Sequence, residues 1–370
     1  MTGKTPEELL NIRMNRLSTA IALGTPDRVP VCLSVDAFAA KTMGVKLSVF
    51  VRDADVSGQA ALSTIEMLGD VDLVGTAPGY VPAVLGLLWL APVELPGREL
   101  PEDSLWQIDE QVRVVREDYD RILDMGWGPW FGQYIGRYLG EAAAAGQVLQ
   151  ESIPRWTAEF MKRGYVVFQA GHAYHPFEHL CGGRSVKEFM LDLFQIPDKV
   201  QAVMDVIMAD NREMARQLVR AVGPAGYWVG GWRTAPEFLS PRLWDRFVWP
   251  YLKDLVEIVA EEGGTPILHF DANWDREIER LKDLPRAKCV LALDGKTDIF
   301  RAKEILGGHM CIQGDVPPSM LSLGSPDQVR AYCHRLLSEV GPDGFILSMG
   351  CGVPPDAKFE NVKAIVDSLQ

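Results

Sequence analysis

Apolar runs of strand length alternate with longer amphipathic segments through the second half of the chain. The predicted strands are 164–171, 226–231, 265–271, 287–294, 309–314 and 344–349. Between them, the spacing of apolar positions predicts helices over 186–222 with a kink or break near Pro197, 241–262, 275–281, 297–306 and 326–340. Strands that alternate with helices predict a parallel sheet with right-handed crossovers.

Two earlier strands, at 29–35 and 72–76, bring the predicted number of strands to about eight. Parallel strands in that number, each followed by a helix, close into a (β/α)8 barrel, the TIM-barrel fold of the α/β class. An open, doubly wound sheet is the alternative that the pattern leaves. We expect the whole chain, 1–370, to form one such domain.

Two segments lie outside this alternation. Thr5-Pro6-Glu7-Glu8 has the pattern of a helix start, with an N-cap, a proline at N1 and a glutamate at N3, and predicts an N-terminal helix. The stretch from about 84 to 140 is irregular and rich in tryptophan, proline and glycine. We interpret it as a capping segment inserted over the barrel mouth. A surface subdomain with its own small core is the alternative.

Composition limits the classes of function. The chain of 370 residues carries a formal net charge of −13, which disfavours nucleic acid as a partner. No apolar stretch reaches the roughly 18 residues of a membrane helix, so no membrane association is expected. The 6 cysteines include no CxxC pair, which indicates reduced thiols and a cytoplasmic protein. The oligomeric state is left open, with a homodimer among the options.

Two strand ends carry side chains that can bind one metal ion. One predicted strand ends in His269-Phe-Asp271, and the last predicted strand is followed by Cys351 between two glycines. Alternate side chains of a strand share a face, so His269 and Asp271 point the same way. In a parallel barrel both strand ends lie at the same mouth. Imidazole, carboxylate and thiolate make an open three-ligand site. A buried polar cluster without metal is the alternative.

Two histidines and one glutamate follow other predicted strands. Glu237 could complete the metal shell or hold its water, and its alternative role is to start a helix. His172 and His175 are candidate general acids, or donors to a substrate oxygen. Their alternative is a pair of solvated loop histidines.

Three aspartates also lie at predicted strand ends. Asp315 is a candidate catalytic residue, but it precedes Val-Pro-Pro and could simply cap a turn. Asp294 is a candidate substrate-binding residue. Asp36 could face the mouth and bind substrate, or cap the helix that follows it.

Four motifs resemble the uroporphyrinogen decarboxylase superfamily. They are Asp27-Arg-Val-Pro-Val31, Leu239-Ser-Pro-Arg-Leu-Trp-Asp-Arg-Phe-Val-Trp-Pro-Tyr251, Ile312-Gln-Gly-Asp-Val-Pro317 and Gly350-Cys-Gly-Val-Pro354. The resemblance covers nearly the whole chain and implies a (β/α)8 barrel. It implies one of two activities, because the superfamily contains true decarboxylases and cobalamin- or corrinoid-dependent methyltransferases.

One departure from the decarboxylase pattern favours the methyltransferase branch. Decarboxylases follow the first strand with an arginine-bearing loop that binds porphyrinogen carboxylates, whereas residues 32–40 here contain no arginine. A substrate with many carboxylates needs several guanidinium partners. The zinc enzymes of the other branch carry His-x-Cys on one strand and Cys on a later one. His269-Phe-Asp271 and Cys351 resemble that set, with aspartate in place of the first cysteine. This harder set suits a Lewis acid acting on oxygen.

Within that branch, the sequence is most similar to enzymes that demethylate phenyl methyl ethers. The resemblance implies Zn²⁺ as the metal and the Co(I) of a separate corrinoid (cobalamin) protein as methyl acceptor. An aryl substrate requires flat apolar walls, for which Trp228, Trp232 and Phe270 are candidates.

Three other functions stay open at this point. The first is methyl transfer from methylcobalamin or a methyl-corrinoid to a thiol or pterin. The second is a non-catalytic corrinoid- or tetrapyrrole-binding protein. The third is uroporphyrinogen-type decarboxylation.

Overall fold

The strands of the chain form one large parallel sheet and one small hairpin. The computed structural model describes residues 3–230 and 232–369. The strands are β1 Val31–Leu33, β2 Leu73–Val74, β3 Val93–Glu94, β4 Gln107–Ile108, β5 Val166–Val167, β6 Gln169–Ala173, β7 Gly226–Val229, β8 Thr265–Phe270, β9 Val290–Leu293, β10 Cys311–Val316 and β11 Phe345–Met349. Strands β3 and β4 pair antiparallel, and the other nine form the parallel sheet.

The parallel sheet closes at Phe168, which separates β5 from β6. The strand order is β5-β2-β1-β11-β10-β9-β8-β7-β6. The Phe168 N–H donates to the Val74 carbonyl at 2.9 Å, and the Phe168 carbonyl accepts from the Gly226 N–H at 2.8 Å. Strands β5 and β6 are therefore two halves of one strand position, and the prediction of a (β/α)8 barrel is confirmed.

The helices surround this barrel. They are α1 Pro6–Ile21, α2 Asp36–Thr42, α3 Leu47–Phe50, α4 Ala54–Leu68, α5 Leu85–Trp89, α6 Arg116–Met125, α7 Trp127–Tyr138, α8 Gly140–Met161, α9 Pro176–Arg184, α10 Val186–Gln195, α11 Pro197–Val222, α12 Pro241–Phe247, α13 Trp249–Glu261, α14 Ile299–Leu306, α15 Pro318–Leu323, α16 Pro326–Glu339 and α17 Phe359–Asp367, with 3-10 turns at Pro82–Val84, Pro236–Phe238 and Ile278–Asp283. None of the helices in the described ranges is both long and apolar enough to cross a membrane.

Most helix predictions are confirmed, with local corrections. The capping box of Thr5 and Glu8 opens α1, and the break at Pro197 separates α10 from α11. The helix predicted over 275–281 is wrong, because the chain forms a short 3-10 turn there. The stretch 84–140 is more regular than predicted, since it contains α5, the β3–β4 hairpin, α6 and α7.

Helix α1 closes the bottom of the barrel, at the N-terminal ends of the strands. Its apolar residues Leu10, Leu17 and Ala20 pack against side chains that fill the barrel interior, which are Cys32, Leu73, Val166, Phe168, Ile267, Val290, Ala292, Cys311 and Ile346. Burial of this apolar surface anchors α1 and leaves only the opposite mouth open.

A network of arginines and aspartates ties α1 to the strand starts. Arg16 forms a bidentate pair with Asp27, both bonds at 2.7 Å, and donates to the buried Asp72 at 2.8 Å. Arg28 also donates to Asp72 at 2.8 Å. Arg13 and Arg28 share the carboxylate of Asp70. Every charge of this network meets an opposite charge, so the bottom of the barrel is cross-linked by ion pairs.

Candidate metal centre and its cavity

The side chains of His269, Asp271 and Cys351 converge at the mouth of the barrel. His269 lies near the end of β8, Asp271 follows that strand directly, and Cys351 lies just beyond β11. One possible ligand atom from each residue lies within 4.8 Å of the other two. The His269 and Asp271 side chains are 12% and 29% exposed, and Cys351 is exposed. The trio is therefore accessible from the mouth.

The backbone of β9 orients the imidazole of His269. Its Nδ1–H donates to the Ala292 carbonyl at 3.2 Å, in the register that pairs His269 with Ala292. This bond leaves Nε2 with a free lone pair, and Nε2 lies 3.1 Å from Oδ1 of Asp271. Metal-binding histidines in proteins are commonly held in this way, with the second ring nitrogen bonded to a carbonyl.

The electrostatics of the trio fit a divalent cation. Burial opposes a charge on His269, but the hydrogen bond to Asp271 and the nearby Cys351 thiol outweigh it and raise the pKa of His269 to about 10. A site that favours a proton on this nitrogen also favours a metal ion, which replaces that proton. An imidazole, a carboxylate and a thiolate are ligands that zinc accepts.

A cavity of about 430 Å³ lies beside the trio, and both His269 and Cys351 line it. Its walls are largely aromatic, with contributions from Tyr80, Trp89, Trp106, Phe168, Trp228 and Trp232. Trp228 contacts His269 with ring centroids 5.2 Å apart, Trp232 lies 4.9 Å from Trp228, and Trp89 lies 4.3 Å from Trp232. A continuous aromatic wall therefore leads from the candidate ligands into the segment 84–140.

Two titratable groups among the predicted residues also line the cavity. Asp36, at the start of α2, accepts a hydrogen bond from Thr76 at 3.4 Å, and burial raises its pKa to about 6. His172 on β6 accepts a hydrogen bond from the Gln169 amide at 3.1 Å. Burial lowers the pKa of His172 to about 4, so its imidazole is neutral near pH 7. His172 is thus a neutral hydrogen-bonding group and a poor cationic acid.

Three predicted site residues are not brought to the cavity. Glu237 lies exposed on a 3-10 turn and belongs neither to the trio nor to the cavity lining. His175 is buried and caps α9, where Nδ1 accepts from the Phe177 N–H and Nε2 lies 3.1 Å from the Val248 carbonyl. Asp315 accepts a hydrogen bond from Tyr332 of α16 at 2.8 Å, so it faces the helix layer.

Asp294 and Phe270 are the remaining two predicted site residues. Asp294 does not line the cavity, but its charge interacts with Asp271 and His269. Burial and the Asp271 carboxylate raise the pKa of Asp294. Its position is therefore beside the candidate ligands. The side chain of Phe270, a predicted wall residue, lies outside the described residues.

A buried glutamate that sequence reasoning missed holds the aromatic wall in place. Glu178 on α9 accepts a hydrogen bond from Nε1 of Trp89 at 3.1 Å and from the backbone N–H groups of Arg233 and Thr234 at 2.8 and 3.0 Å. The two acceptor oxygens thus connect the segment 84–140 with the loop that carries Trp232. No local pattern marks this glutamate, because α9 also carries His179 and Arg184.

The segment 84–140 packs closely against α9 at two glycines of that helix, Gly182 and Gly183. A Cβ at Gly182 would collide with the carbonyl of Trp89, and one at Gly183 would crowd Val114 and Leu90. The Leu88 carbonyl accepts from Nδ1 of His179 at 2.7 Å. The segment is therefore bound to the barrel through close backbone contacts.

These observations define a (β/α)8 barrel with a candidate metal centre at its C-terminal mouth, the end where barrel enzymes place their chemistry. Residues 148–370 match the uroporphyrinogen decarboxylase (URO-D) family, and the chain belongs to this family.

Relatives of this chain carry the name uroporphyrinogen decarboxylase. The protein of Chloroherpeton thalassium is 31% identical over 331 residues, which cover 86% of this chain and 84% of that protein. The protein of Syntrophotalea carbinolica is 30% identical over 201 residues, or 52% of this chain. The chain thus spans only 57% of the length of this second relative.

One solved structure shares the fold over nearly the full length. It is a methyltransferase from Methanosarcina mazei, with a TM-score of 0.74 and 20% sequence identity, and the match covers 96% of this chain and 97% of that chain. At this identity the match establishes the fold.

Proposed function

We propose that the protein is a zinc-dependent methyltransferase that moves the methyl group of a phenyl methyl ether to the Co(I) of a corrinoid protein. The observation that carries the proposal is the convergence of His269, Asp271 and Cys351 beside an aromatic cavity. The family membership and the shared fold with a methyltransferase agree with it.

In the proposed reaction, the O–CH₃ bond breaks and a Co–CH₃ bond forms with the electron pair of Co(I). The oxygen leaves as a phenolate and takes up one proton. Zinc held by the trio would supply Lewis-acid stabilisation of the negative charge that develops on this oxygen. The Trp228 and Trp232 rings provide flat walls for the aryl ring. Neutral His172 offers a hydrogen bond to a polar substituent.

The segment 84–140 serves in this proposal as a cap on the mouth. It contributes Leu85, Trp89, Leu105 and Trp106 to the cavity wall. Such a cover excludes water from the leaving oxygen, which strengthens electrostatic stabilisation there.

Decarboxylation of a porphyrinogen is the activity that the names of the relatives suggest. The described residues that line the cavity include no arginine and no lysine. A substrate with many carboxylates would be held there without a positive side chain, which is energetically unfavourable. Incubation with uroporphyrinogen is therefore expected to yield no coproporphyrinogen by chromatography.

The proposal is tested by zinc analysis and a methyl-transfer assay. We expect close to one zinc per chain after purification, and Cys351→Ala and Asp271→Ala are each expected to lower zinc affinity at least about 100-fold. Free cob(I)alamin with 2-methoxyphenol should give methylcobalamin and catechol with the wild-type protein but not with Cys351→Ala or Asp271→Ala.

Glu237→Ala is the matched control, because it removes an exposed carboxylate that belongs neither to the trio nor to the cavity lining. This variant should keep its zinc and its activity. Full methyl transfer by metal-free protein would contradict the zinc role. Formation of coproporphyrinogen without any demethylation would replace the proposal with decarboxylation.

A further inference from the structure

The cavity lacks positive charge, and this bears on the kind of aryl ether that it can hold. None of its described lining residues is an arginine or a lysine. The two histidines in the lining offer no unpaired cation. Burial keeps His172 neutral, and His269 would bind metal as a neutral imidazole or, without metal, pair with Asp271 as an imidazolium. A negatively charged substituent on the ring would therefore meet no positive side chain.

One acidic side chain is built into the same wall. Asp36 lines the cavity, and its carboxylate faces the chain beside Cys351, because a Cβ at Gly352 would lie 3.6 Å from Asp36 Oδ2. Its described hydrogen-bond partner is the neutral hydroxyl of Thr76 at 3.4 Å. The carboxylate is not neutralised by an ion pair, so it repels a second carboxylate in this apolar space.

The polar groups of the cavity are otherwise neutral. Ser34, Thr76, Gln169 and Gln313 line it together with neutral His172. The Gln313 amide oxygen is buried and finds no hydrogen-bond donor among the described residues. Hydroxyl and ether groups are the substituents that such a set of neutral side chains can pair with.

We propose that the cavity selects aryl methyl ethers without a carboxylate and discriminates against their carboxylated counterparts. The proposal rests on the proposed function, of which it specifies the substrate class. Specificity comes from the absence of a cation together with repulsion by Asp36, since burying an unpaired carboxylate is strongly unfavourable.

The test compares two ligands of the same size that differ in charge. The probes are 4-hydroxy-3-methoxybenzamide and 4-hydroxy-3-methoxybenzoate, titrated calorimetrically into the zinc-loaded protein and into the zinc-depleted protein without any corrinoid. We expect the amide to bind at least about tenfold more tightly in both forms, because the His269 imidazolium of the zinc-depleted protein stays paired with Asp271. The zinc-depleted arm removes direct binding of the carboxylate to the metal.

Substitution of Asp36 tests the origin of the discrimination. Asp36→Asn should strengthen binding of the benzoate by about fivefold and change binding of the benzamide by less than about twofold. Asp124→Asn makes the same charge change at an exposed position outside the cavity and should leave both affinities unchanged.

The possible results separate this inference from the function on which it rests. Equal or tighter binding of the benzoate overturns the inference, and demethylation of the benzoate would then leave the function intact. Absence of binding and demethylation for both ligands, and for 2-methoxyphenol, overturns the function and the inference together. Preference for the amide in the wild-type protein supports the inference whether or not a methyl group is transferred.

Discussion

The two ends of the barrel treat carboxylates in opposite ways. At the bottom, the Arg16 guanidinium holds the pKa of Asp27 below its usual range. Burial would raise the pKa of Asp70, but Arg13 and Arg28 outweigh it and hold that pKa low as well. At the mouth, burial raises the pKa of Asp36 to about 6.

This difference separates stability from chemistry along the barrel axis. Paired carboxylates at the bottom favour the folded state above about pH 4, because their ionised forms are held by arginine. The unpaired carboxylate at the mouth opposes folding once it ionises, and the rest of the protein has to outweigh that cost. The stability that the ion pairs at the bottom contribute allows the mouth to hold an unpaired carboxylate, which is unfavourable for folding.

The largest expected effect follows from breaking the bottom network. Arg16→Met should lower the free energy of unfolding by about 3 kcal/mol, because the buried Asp72 loses a charge partner at 2.8 Å. Urea unfolding measures the loss, and zinc content should not change. Arg335→Met is the control, since Arg335 and Glu339 are 53% and 50% exposed and their pair is worth less than about 1 kcal/mol. An equal loss of unfolding free energy in both variants would mean that the network contributes no more than an ordinary surface ion pair.

The next effect is a pH dependence at the mouth. The pKa of Asp36 is about 6 in the folded protein and about 4 in an unfolded chain. The folded state therefore binds this proton more tightly. The contribution of Asp36 to stability is full below about pH 4 and is lost as the pH rises to about 6.

Asp36→Asn should accordingly raise the free energy of unfolding at pH 7 by about 2 kcal/mol and have little effect near pH 4. Urea unfolding of both proteins at several pH values provides the measurement. A variant that is less stable than the wild-type protein at pH 7 would show that the carboxylate stabilises the mouth, and the contrast between the two ends would fail.

The smallest effect concerns the aromatic wall. Glu178→Gln keeps one acceptor oxygen, so it can pair with the two backbone amides or with Trp89, but not with both. We expect a loss of about 1 kcal/mol in stability and about threefold weaker binding of 2-methoxyphenol with zinc content unchanged. Trp89→Phe removes the same hydrogen bond from the other side. The double variant should be no worse than Trp89→Phe alone, and additive losses would mean that the bond does not position the wall.

Much of the fold was predictable from local patterns in the sequence. Alternation of apolar strands and amphipathic helices predicts the barrel, since each strand is buried on both faces and each helix on one. The strand period predicts that His269 and Asp271 share a face, and parallel topology predicts that Cys351 reaches the same mouth. The structure brings the three side chains together.

The predicted site residues that lie away from the cavity have positions that depend on tertiary packing. The direction of the loop after β7 decides the position of Glu237, and no local pattern encodes it. His175 follows a strand, as His172 does, but its ring caps α9 while His172 faces the cavity. Asp315 and Gln313 are two residues apart in β10, yet only Gln313 lines the cavity, since Asp315 pairs with a side chain from a distant helix. Glu178 was missed because its partners are 55 or more residues away in the chain.

The glycine at position 182 has a consequence for how this protein can diversify. It does not line the cavity, but the room left by its missing methyl group is filled by the peptide that carries Trp89. Substitution of lining residues such as Asp36 can alter which molecules bind. The width of the cavity, in contrast, depends on α9 at Gly182, a residue that does not contact the ligand. A single added carbon on that helix would have to displace the peptide of Trp89, and so change the shape of the cavity without replacing any residue that faces the ligand.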